Sequence, residues 1–332
     1  MRAMVLDKTG PAEQSPLALR EIATPIPASG HIRVKVHVCG LCHTDLHTVE
    51  GDLAPHKRPV VPGHQIVGVI DALGSSVSNY KEGDRVGVAW LHSTDGVCEY
   101  CSRGLENLCI DGRFTGYDVD GGYAEYCVAP AEFCYPIPDI FSDEHAAPLL
   151  CAGIIGYRSY RLAGIRPGEN LGLYGFGASA HLVIQLARHQ KCNVFVFTRS
   201  EVHRAHAREL GASWTGRAED DPPEQLHAAI IFAPAGSLVR ESLRALRKGG
   251  TLTLAGITMS QIPGLDYELL YDEKIVRSVA NATRQDGREF LQLSGEVPLR
   301  TEVQIFDLDE ANQALEKLKK SEIRGAGVLK IS

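Results

Sequence analysis

The stretch of sequence that decides the fold is LGLYGFGASA, residues 171–180. Its first four residues predict a short buried strand, and the glycines after it open an amphipathic helix. Gly175 permits a tight turn, Gly177 lets the backbone approach a pyrophosphate, and Ala180 is the small residue needed where helix meets strand. Taken alone, the motif is about as often a plain structural turn as a dinucleotide site.

The residues after this turn favour the dinucleotide site, because strand and helix signals alternate there. Apolar strands are predicted at 194–197, 228–232 and 251–255, and helices around 204–210 and 238–246. Strands buried on both faces predict a doubly wound parallel sheet, so 153–295 is predicted to be a Rossmann dinucleotide-binding domain. The residues predicted to lie against the cofactor phosphates at the helix N-terminus are Gly175, Gly177, Ala178, Ser179 and Ala180.

The end of the second predicted strand bears on the choice of cofactor. An acidic residue at this point binds the adenosine ribose of NAD, whereas this chain has Thr198, Arg199 and Ser200 and no acid. Two hydroxyls and a guanidinium can bind a ribose phosphate, so the sequence favours NADP over NAD. In the alternative interpretation, Arg199 is an ordinary solvated arginine.

The remaining sequence, 1–152 and 296–332, has a different texture. Short alternating runs such as 32–38, punctuated by turn signals, predict an irregular and mostly antiparallel β domain. Asp307 and Glu310 predict a capping box that opens a helix to about Lys320, followed by a last strand at 327–331. A length of 332 residues is appropriate for two domains.

Composition limits the classes of function. Hydrophobic residues make up 44% of the chain and charged residues 23%, and the formal net charge is −7, which argues against nucleic acid or an anionic membrane as a partner. The N-terminus lacks the apolar core of a signal peptide, and no apolar run is long enough to cross a bilayer. Nine cysteines in such a chain indicate metal binding or catalysis rather than disulfides, and the cytoplasm is the expected location.

The cysteines with chemical context fall into two groups. The first consists of CHTDLH at 42–47, PGH at 62–64 and LCAG at 150–153. The second consists of Asp95, Cys98, Cys101 and Cys109.

In these residues the chain resembles the zinc-containing medium-chain alcohol dehydrogenases. In the details of its sequence it resembles a bacterial subgroup of zinc-binding alcohol dehydrogenases. The motifs follow the family order and include GGYAEY at 121–126 and the glycine-rich turn. The resemblance implies a GroES-like catalytic domain beside the Rossmann domain. It also implies reversible hydride transfer between NAD(P) and a primary alcohol or aldehyde.

The resemblance assigns a catalytic zinc to Cys42, His64 and Cys151. Two thiolates and one imidazole leave a fourth position open for the substrate oxygen, as a catalytic zinc requires. Asp45 matches the carboxylate that orients the zinc-bound histidine.

Three further roles are implied within the same CHTDLH motif. Thr44 matches the hydroxyl that contacts the substrate oxygen, and His47 matches the histidine at the solvent end of the proton relay. His43 occupies the place of a basic residue near the cofactor pyrophosphate.

The second cysteine group departs from the family pattern. Relatives have four cysteines that hold a structural zinc, and here Asp95 stands at the first position, ahead of Cys98, Cys101 and Cys109. Because a carboxylate can bind zinc, we expect an Asp-Cys₃ site to be retained, with loss of the metal as the alternative. Gln65 also replaces a usual glutamate, and Ala326 stands where many relatives have an arginine.

The resemblance also bears on substrate size and assembly. Val49 and Leu53 lie where the yeast enzyme has tryptophans, and Trp90 keeps an aromatic wall, which predicts room for medium-chain or aromatic alcohols. Alternatively, Val49 and Leu53 pack into the core and say nothing about the substrate. Relatives assemble as homodimers or homotetramers, and the apolar strand near 275–279 is a candidate edge.

Two other functions are weighed against the dehydrogenase. A zinc-free quinone or enone reductase of the same superfamily would lack Cys42, His64 and Cys151. A non-catalytic NADPH- or zinc-sensing protein would have no need of Thr44 and His47.

Overall fold

The structure, a computed structural model, describes residues 1–297 and 299–332. The chain forms two compact units. The first unit comprises Met1–Cys151, Thr283–Glu296 and Arg300–Ser332, and the second comprises Ala152–Ala282 with Val297 and Leu299. The candidate ligands of both metal sites therefore belong to the first unit, and the glycine-rich turn belongs to the second.

The elements are numbered along the chain. Up to Cys151 the strands are β1 (Arg2–Leu6), β2 (Leu17–Glu21), β3 (His31–Leu41), β4 (Gln65–Leu73), β5 (Arg85–Val88), β6 (Leu91–Ser93), β7 (Arg113–Phe114), β8 (Tyr126–Pro130) and β9 (Cys134–Pro136). The helices of this part are α1 (His43–Glu50), α2 (Glu99–Ser102) and α3 (Asp143–Ala146).

The second unit and the return to the first unit complete the chain. The second unit contains α4 (Ala152–Ala163), β10 (Asn170–Tyr174), α5 (Ala178–His189), β11 (Asn193–Phe197), α6 (Glu201–Glu209), β12 (Trp214–Gly216), β13 (Leu226–Ile231), α7 (Leu238–Ala245), β14 (Leu246–Leu254) and β15 (Ile275–Ser278). The first unit resumes with α8 (Arg284–Glu296), β16 (Val303–Asp307), α9 (Ala311–Lys319) and β17 (Ala326–Lys330).

The first unit is organised around β3. Its main sheet has the strand order β16-β17-β3-β4-β5-β9, and β8 also pairs with β3. Alternate residues of β3, namely Ile32, Val34 and Val36, have no exposed surface, whereas Lys35 between them is exposed. This period of two places the core on one face of the strand and fixes its register. The last residue of β3, Leu41, directly precedes Cys42.

The second unit is a parallel sheet with the order β12-β11-β10-β13-β14-β15. Within the unit this is the order 3-2-1-4-5-6 of a Rossmann domain. Leu171 and Leu173 of β10 pack with Val183 of α5, and Tyr174 packs with Leu243 of α7, so alternate residues enter two cores. The prediction of a doubly wound sheet is confirmed.

The C-terminal capping box is confirmed as well. The Asp307 side chain accepts from the backbone three residues on, and Glu310 accepts from the Asp307 N–H at 2.8 Å. The box opens a 3₁₀ turn that continues into α9, and the predicted last strand is β17.

One predicted boundary is wrong. The predicted Rossmann domain, 153–295, includes the residues of α8, but this helix groups with the first unit. Arg284, at its start, donates to both oxygens of Glu106, and its guanidinium lies 4.4 Å from the ring centre of Phe133. Gly287 lies against the ring of Tyr135. These contacts fasten the helix to the first unit.

Within the described residues, every helix is too short or too polar to cross a membrane.

Candidate active site

The position of Cys42 is set by a capping box at the start of α1. Cys42 is the N-cap, with extended backbone, and the Asp45 carboxylate accepts a hydrogen bond from the Cys42 N–H at 2.8 Å. An acidic residue in the first turn also favours the helix dipole. The helix ends at Gly51, whose φ of 94° is the left-handed conformation that glycine adopts readily. The CHTD motif therefore holds the cysteine side chain at a fixed place beside the end of β3.

The position of His64 depends on packing between two distant motifs. Gly122 N donates to the Gly63 carbonyl at 2.9 Å, and Tyr123 N donates to the Pro62 carbonyl at 3.0 Å. Gly63 has a φ of 98°, and a Cβ added to it would lie 2.4 Å from the ring of Tyr123. Only glycine fits there. The GGYAEY segment thus supports the turn that directs His64 inward, where it is fully buried.

Cys151 completes a cluster with Cys42 and His64. It follows the 3₁₀ turn Ala147–Leu150, and the three candidate ligand atoms lie within 4.8 Å of one another. Cys42 Sγ is 3.5 Å from His64 Nε2 and 3.8 Å from Cys151 Sγ. A tetrahedral zinc with bonds of about 2.3 Å to sulfur and about 2.1 Å to nitrogen separates its ligands by about 3.6–3.8 Å. The three side chains therefore have the spacing that zinc requires.

Asp45 also orients the histidine of this cluster. Its Oδ1 lies 3.0 Å from His64 Nδ1, and both side chains are almost fully buried. The hydrogen bond leaves Nε2 of His64 facing the two sulfurs. A carboxylate on the far nitrogen is the usual support of a metal-bound histidine.

Protons and a metal ion would compete for the ligand atoms of this cluster. The hydrogen bond with Cys151 and burial hold the pKa of the Cys42 thiol well above its usual range. Burial lowers the pKa of His64, but Asp45 and Cys42 outweigh it and raise that pKa to about 10. The protein alone therefore favours the protonated groups, and a divalent cation favours the deprotonated ligands.

The second cluster comprises Asp95, Cys98, Cys101 and Cys109, whose ligand atoms also lie within 4.8 Å of one another. Asp95 Oδ1 accepts from the backbone N–H groups of Val97 and Cys98, at 2.9 and 3.0 Å. These two hydrogen bonds hold the pKa of the Asp95 carboxyl well below its usual range, so it is ionised. The Asp95 carboxylate thus lies with the three cysteines, at the position where the resemblance implies a cysteine in relatives. We call residues 95–109 the metal lobe.

The glycine-rich turn links β10 to α5 in the second unit. Gly175 has a φ of 85°, and a Cβ added to it would lie 2.9 Å from Ala233. Gly177 is the N-cap of α5 and has open space beside it, whereas Ala180 is fully buried. Ala178 and Ser179 form the first turn of the helix. The turn thus offers free N–H groups beside an open space, as a pyrophosphate site requires.

The three residues predicted to choose the cofactor follow β11. Ser200 is the N-cap of α6 and accepts from His203 N at 3.3 Å, while Thr198 is half-buried. The side chain of Arg204, which sequence analysis did not single out, donates to the Thr198 carbonyl at 2.7 Å and pairs with Glu201. Arg199 is exposed, and its guanidinium has no partner among the described residues.

The predicted relay residues lie on α1. Thr44 is nearly buried, and its carbonyl accepts from the Thr48 hydroxyl at 2.8 Å. His47 Nδ1 lies 3.0 Å from the exposed carboxylate of Asp52. His43 is exposed, with its ring centre 6.3 Å from that of His47.

Of the predicted pocket residues, Trp90 lies beside the metal cluster. Its ring meets that of His64 edge-on at 5.0 Å, and it stacks on Phe114 at 5.1 Å with Tyr117 at 5.8 Å. Phe114 and Tyr117 were missed because they belong to no metal or cofactor motif. Leu53 is half-buried.

The prediction that Val49 lines the pocket is wrong. Val49 has no exposed surface and belongs to the core of the first unit. The helical period places it on the same face of α1 as Leu46, which is also buried.

Gln65 is a buried side chain whose Nε2 has no hydrogen-bond partner among the described residues. Its side-chain oxygen packs over Gly40 on the neighbouring strand. The buried amide of Gln65 therefore leaves one N–H donor group, Nε2, unsatisfied among the described residues, which costs free energy of folding.

Comparison with known proteins identifies the family. The chain matches the model of the alcohol dehydrogenase GroES-like domain over residues 28–139 and that of zinc-binding dehydrogenases over residues 180–296. It is 45% identical over 337 residues to a Mycobacterium tuberculosis protein named "Probable alcohol dehydrogenase AdhA", covering 100% of this chain and 97% of that protein. The chain belongs to the zinc-containing medium-chain alcohol dehydrogenase family.

Further members of the alcohol dehydrogenase family show the same relationship. An alcohol dehydrogenase of Geobacillus stearothermophilus is 36% identical over 341 residues, covering 100% of both chains. A solved structure of a Sorghum bicolor cinnamyl alcohol dehydrogenase has a TM-score of 0.90 at 27% identity, covering 99% of this chain and 97% of that one. Members of this family are zinc-dependent, nicotinamide-linked oxidoreductases, and this chain is one of them. The matches do not favour the reductase and sensor alternatives.

Proposed function

We propose that the chain catalyses reversible hydride transfer between a primary alcohol, or its aldehyde, and a nicotinamide dinucleotide. The observation that carries this proposal is the convergence of Cys42, His64 and Cys151 at the spacing of zinc ligands. All three belong to the first unit, so their convergence does not depend on how the two units are arranged.

The residues around the cluster suit this reaction. A zinc ion held by the three side chains would supply a Lewis acid for the substrate oxygen. Asp45 fixes the tautomer of His64 through Nδ1. Thr44 supplies a hydroxyl for the substrate oxygen, and His47, bonded to Asp52 through Nδ1, retains Nε2 for proton exchange with solvent. Trp90 offers an apolar wall against which the substrate carbon chain can pack.

The test is a panel of alcohols and aldehydes assayed through the nicotinamide absorbance band with both cofactors. Turnover that stops on chelation and returns with zinc supports the proposal. Cys151→Ser should lose turnover and one bound zinc, whereas Cys192→Ser, a buried cysteine in the second unit, should retain both. Full turnover in the chelated enzyme would refute the proposal.

We also propose that the metal lobe holds a second zinc through an Asp-Cys₃ site. The ligand atoms of Asp95, Cys98, Cys101 and Cys109 are already grouped. Asp95 uses Oδ1 for two backbone N–H groups, which leaves Oδ2 for a metal. Three thiolates and one carboxylate form a closed set of four ligands, as in structural zinc sites.

For the cofactor, we propose a preference for NADP. The Arg199 guanidinium, which has no partner in the part of the chain that the structure describes, lies in sequence between two hydroxyl residues, Thr198 and Ser200, just after β11. The acid nearest in sequence, Glu201, is already paired with Arg204 and Arg208. The positive charge of Arg199 is therefore not neutralised by Glu201 and can attract the ribose phosphate of NADP.

For the substrate, we propose alcohols larger than ethanol, such as medium-chain or aromatic ones. The half-buried Leu53 stands in place of a larger aromatic residue, and Trp90, Phe114 and Tyr117 form an aromatic group beside His64. An aromatic group of this kind packs well against rings and alkyl chains. Higher catalytic efficiency with ethanol than with hexanol and benzyl alcohol would contradict this proposal.

For assembly, we propose a homodimer or homotetramer formed through β15. This strand is the last in its sheet, and Ile275 and Val276 are 53% and 38% exposed. An exposed apolar edge strand presents unpaired backbone groups with which a strand of another chain can pair. A monomer in sedimentation analysis would refute the proposal. The cytoplasmic location stays a prediction.

A further inference from the structure

The segment that delivers Cys151 to the metal cluster begins at Asp143. Helix α3 (Asp143–Ala146) runs directly into the 3₁₀ turn Ala147–Leu150, and Cys151 is the next residue. Each of these turns is only four residues long, so neither has the internal hydrogen bonding to be stable alone. The place of the Cys151 sulfur therefore depends on what fastens this segment to the rest of the first unit.

Asp143 provides the first attachment. Its Oδ1 accepts from Arg85 Nε at 2.7 Å, and its Oδ2 lies 2.6 Å from His37 Nδ1. Arg85 also donates to the carbonyl of Phe141 at 2.8 Å, just before the helix. The Asp143, Arg85 and His37 side chains are mostly shielded from solvent, with exposed fractions of 22% to 31%.

The partners of Asp143 lie on the strands that position the other two ligands. His37 is part of β3, which ends immediately before Cys42. Arg85 is part of β5, which pairs with β4, the strand that begins immediately after His64. One carboxylate thus connects the supports of all three candidate metal ligands.

The far end of the segment rests on the same strand β5. The Leu150 side chain packs over Gly87, where an added Cβ would lie 2.7 Å from it. In the middle, His145 Nδ1 bonds the Thr301 hydroxyl at 2.8 Å. The Asp143 carboxylate joins the start of the segment to β3, through His37, and to β5, through Arg85.

We infer that Asp143 is a positioning residue for Cys151, acting through His37 and Arg85 to hold the cysteine at metal-binding distance from Cys42 and His64. Its side-chain partners, His37 and Arg85, are not themselves among the candidate metal ligands. This inference rests on the proposed zinc site. Loss of the Asp143 carboxylate should weaken metal binding without abolishing the fold, because Leu150 and the buried alanines of the segment still pack.

The experiment compares Asp143→Asn with Asp139→Asn, the same chemical change at an exposed aspartate four positions earlier. Release of metal from the zinc-loaded enzyme to a chromogenic chelator is followed in native buffer, and the phase that belongs to this site is identified as the one missing in Cys151→Ser. Asp143→Asn should accelerate that phase about tenfold, because loss of residues that support metal ligands typically weakens metal affinity by about 10–100-fold. Asp139→Asn should leave it unchanged.

A second readout separates positioning from general destabilisation. The cobalt-loaded Asp143→Asn enzyme should show shifted visible ligand-field bands, while the release phase of the metal lobe keeps its rate. If Asp143→Asn does not fold, Arg85→Lys, which keeps the charge but cannot keep both the Asp143 and Phe141 contacts, serves in its place. Unchanged release and bands in a folded variant would overturn the inference and leave the proposed function intact. Absence of any metal phase in the unaltered enzyme would instead refute the proposed function.

Discussion

Arg284 and Glu106, 178 residues apart in the sequence, form a two-pronged ion pair in which the Arg284 guanidinium donates to both carboxylate oxygens. The backbone N–H of Arg284 donates to the same carboxylate at 2.7 Å. Glu106 starts the short 3₁₀ turn Glu106–Leu108 that precedes Cys109, so the pair joins α8 to the metal lobe within the first unit.

Arg284→Ala should therefore destabilise the protein by about 2–4 kcal/mol, because the mostly buried Glu106 carboxylate loses the guanidinium that pairs with it and keeps only the backbone hydrogen bond. Arg324→Ala, which removes the partner of Glu302 from an exposed pair, should cost less than about 1 kcal/mol. Urea unfolding measures both. Equal losses would mean that the Arg284 pair contributes no more than a surface contact.

Gly63→Ala should be far more damaging than Gly83→Ala, although both glycines have a positive φ. A methyl group at Gly63 collides with Tyr123, whereas nothing lies within 4 Å of the added atom at Gly83. We expect Gly63→Ala to lower the free energy of unfolding by about 3 kcal/mol or more and to lose bound zinc. Gly83→Ala should lower the free energy of unfolding by about 1–2 kcal/mol. Thermal unfolding and metal content decide between these outcomes and a similar loss at both positions.

His92 should make the folded protein sensitive to acid. Burial, with the nearby His31 and Arg113, lowers the pKa of His92 to about 4, against which Asp118 acts only weakly. The unfolded chain binds this proton near pH 6.5 and the folded chain does not, so stability falls as the pH drops from 6.5 to 4, by about 3 kcal/mol in total. In His92→Gln the free energy of unfolding should vary less steeply over this range. His189→Gln, which alters an exposed histidine, is the control, and parallel profiles for all three proteins would refute the prediction.

Arg199→Gln should raise the dissociation constant for NADPH about tenfold and leave that for NADH unchanged, because only the phosphorylated ribose needs the guanidinium. Arg240→Gln, at an exposed arginine of α7, should alter neither constant. Fluorescence titration with both nucleotides measures these constants. An equal effect on both nucleotides would assign Arg199 a general role instead.

Asp95→Ala should reduce the zinc content from two ions to one per chain, since the remaining three cysteines lack a fourth ligand. Asp95→Cys should keep two ions, and Asp111→Ala, at an exposed aspartate just beyond the metal lobe, should also keep two. Metal analysis of the purified proteins is sufficient. A single ion in the unaltered protein would show that the lobe holds no metal.

The parts of the fold that the sequence predicts are those encoded by local spacing. The strands and turn around Gly175, the capping box of Asp307 and the doubly wound order all follow from periodicity and from residues a few positions apart. The candidate metal ligands lie in motifs that are far apart in the sequence, so local spacing does not predict that they meet. Their grouping was predicted from the resemblance to a family.

The parts that the sequence did not predict depend on contacts without a local pattern. Helix α8 has an amphipathic pattern that would suit either unit. The ion pair between Arg284 and the remote Glu106 attaches it to the first unit. Val49 was compared with relatives by position, but the turn of α1 points it into the core. His37 and Asp143 belong to no motif, and only the contact between them in the structure indicates a role for either residue.

The arrangement of β3 also affects when the protein can mature during its synthesis. Gly327, Val328 and Leu329 of β17 pair with Leu41, Gly40 and Cys39, immediately before the first candidate ligand. A nascent chain that has already emerged as far as Cys151 still lacks this neighbour, because β17 is translated only after the whole second unit. The edge of β3 that leads to Cys42 is therefore completed only when the end of the chain has emerged, and until then the nascent chain carries an uncovered strand edge.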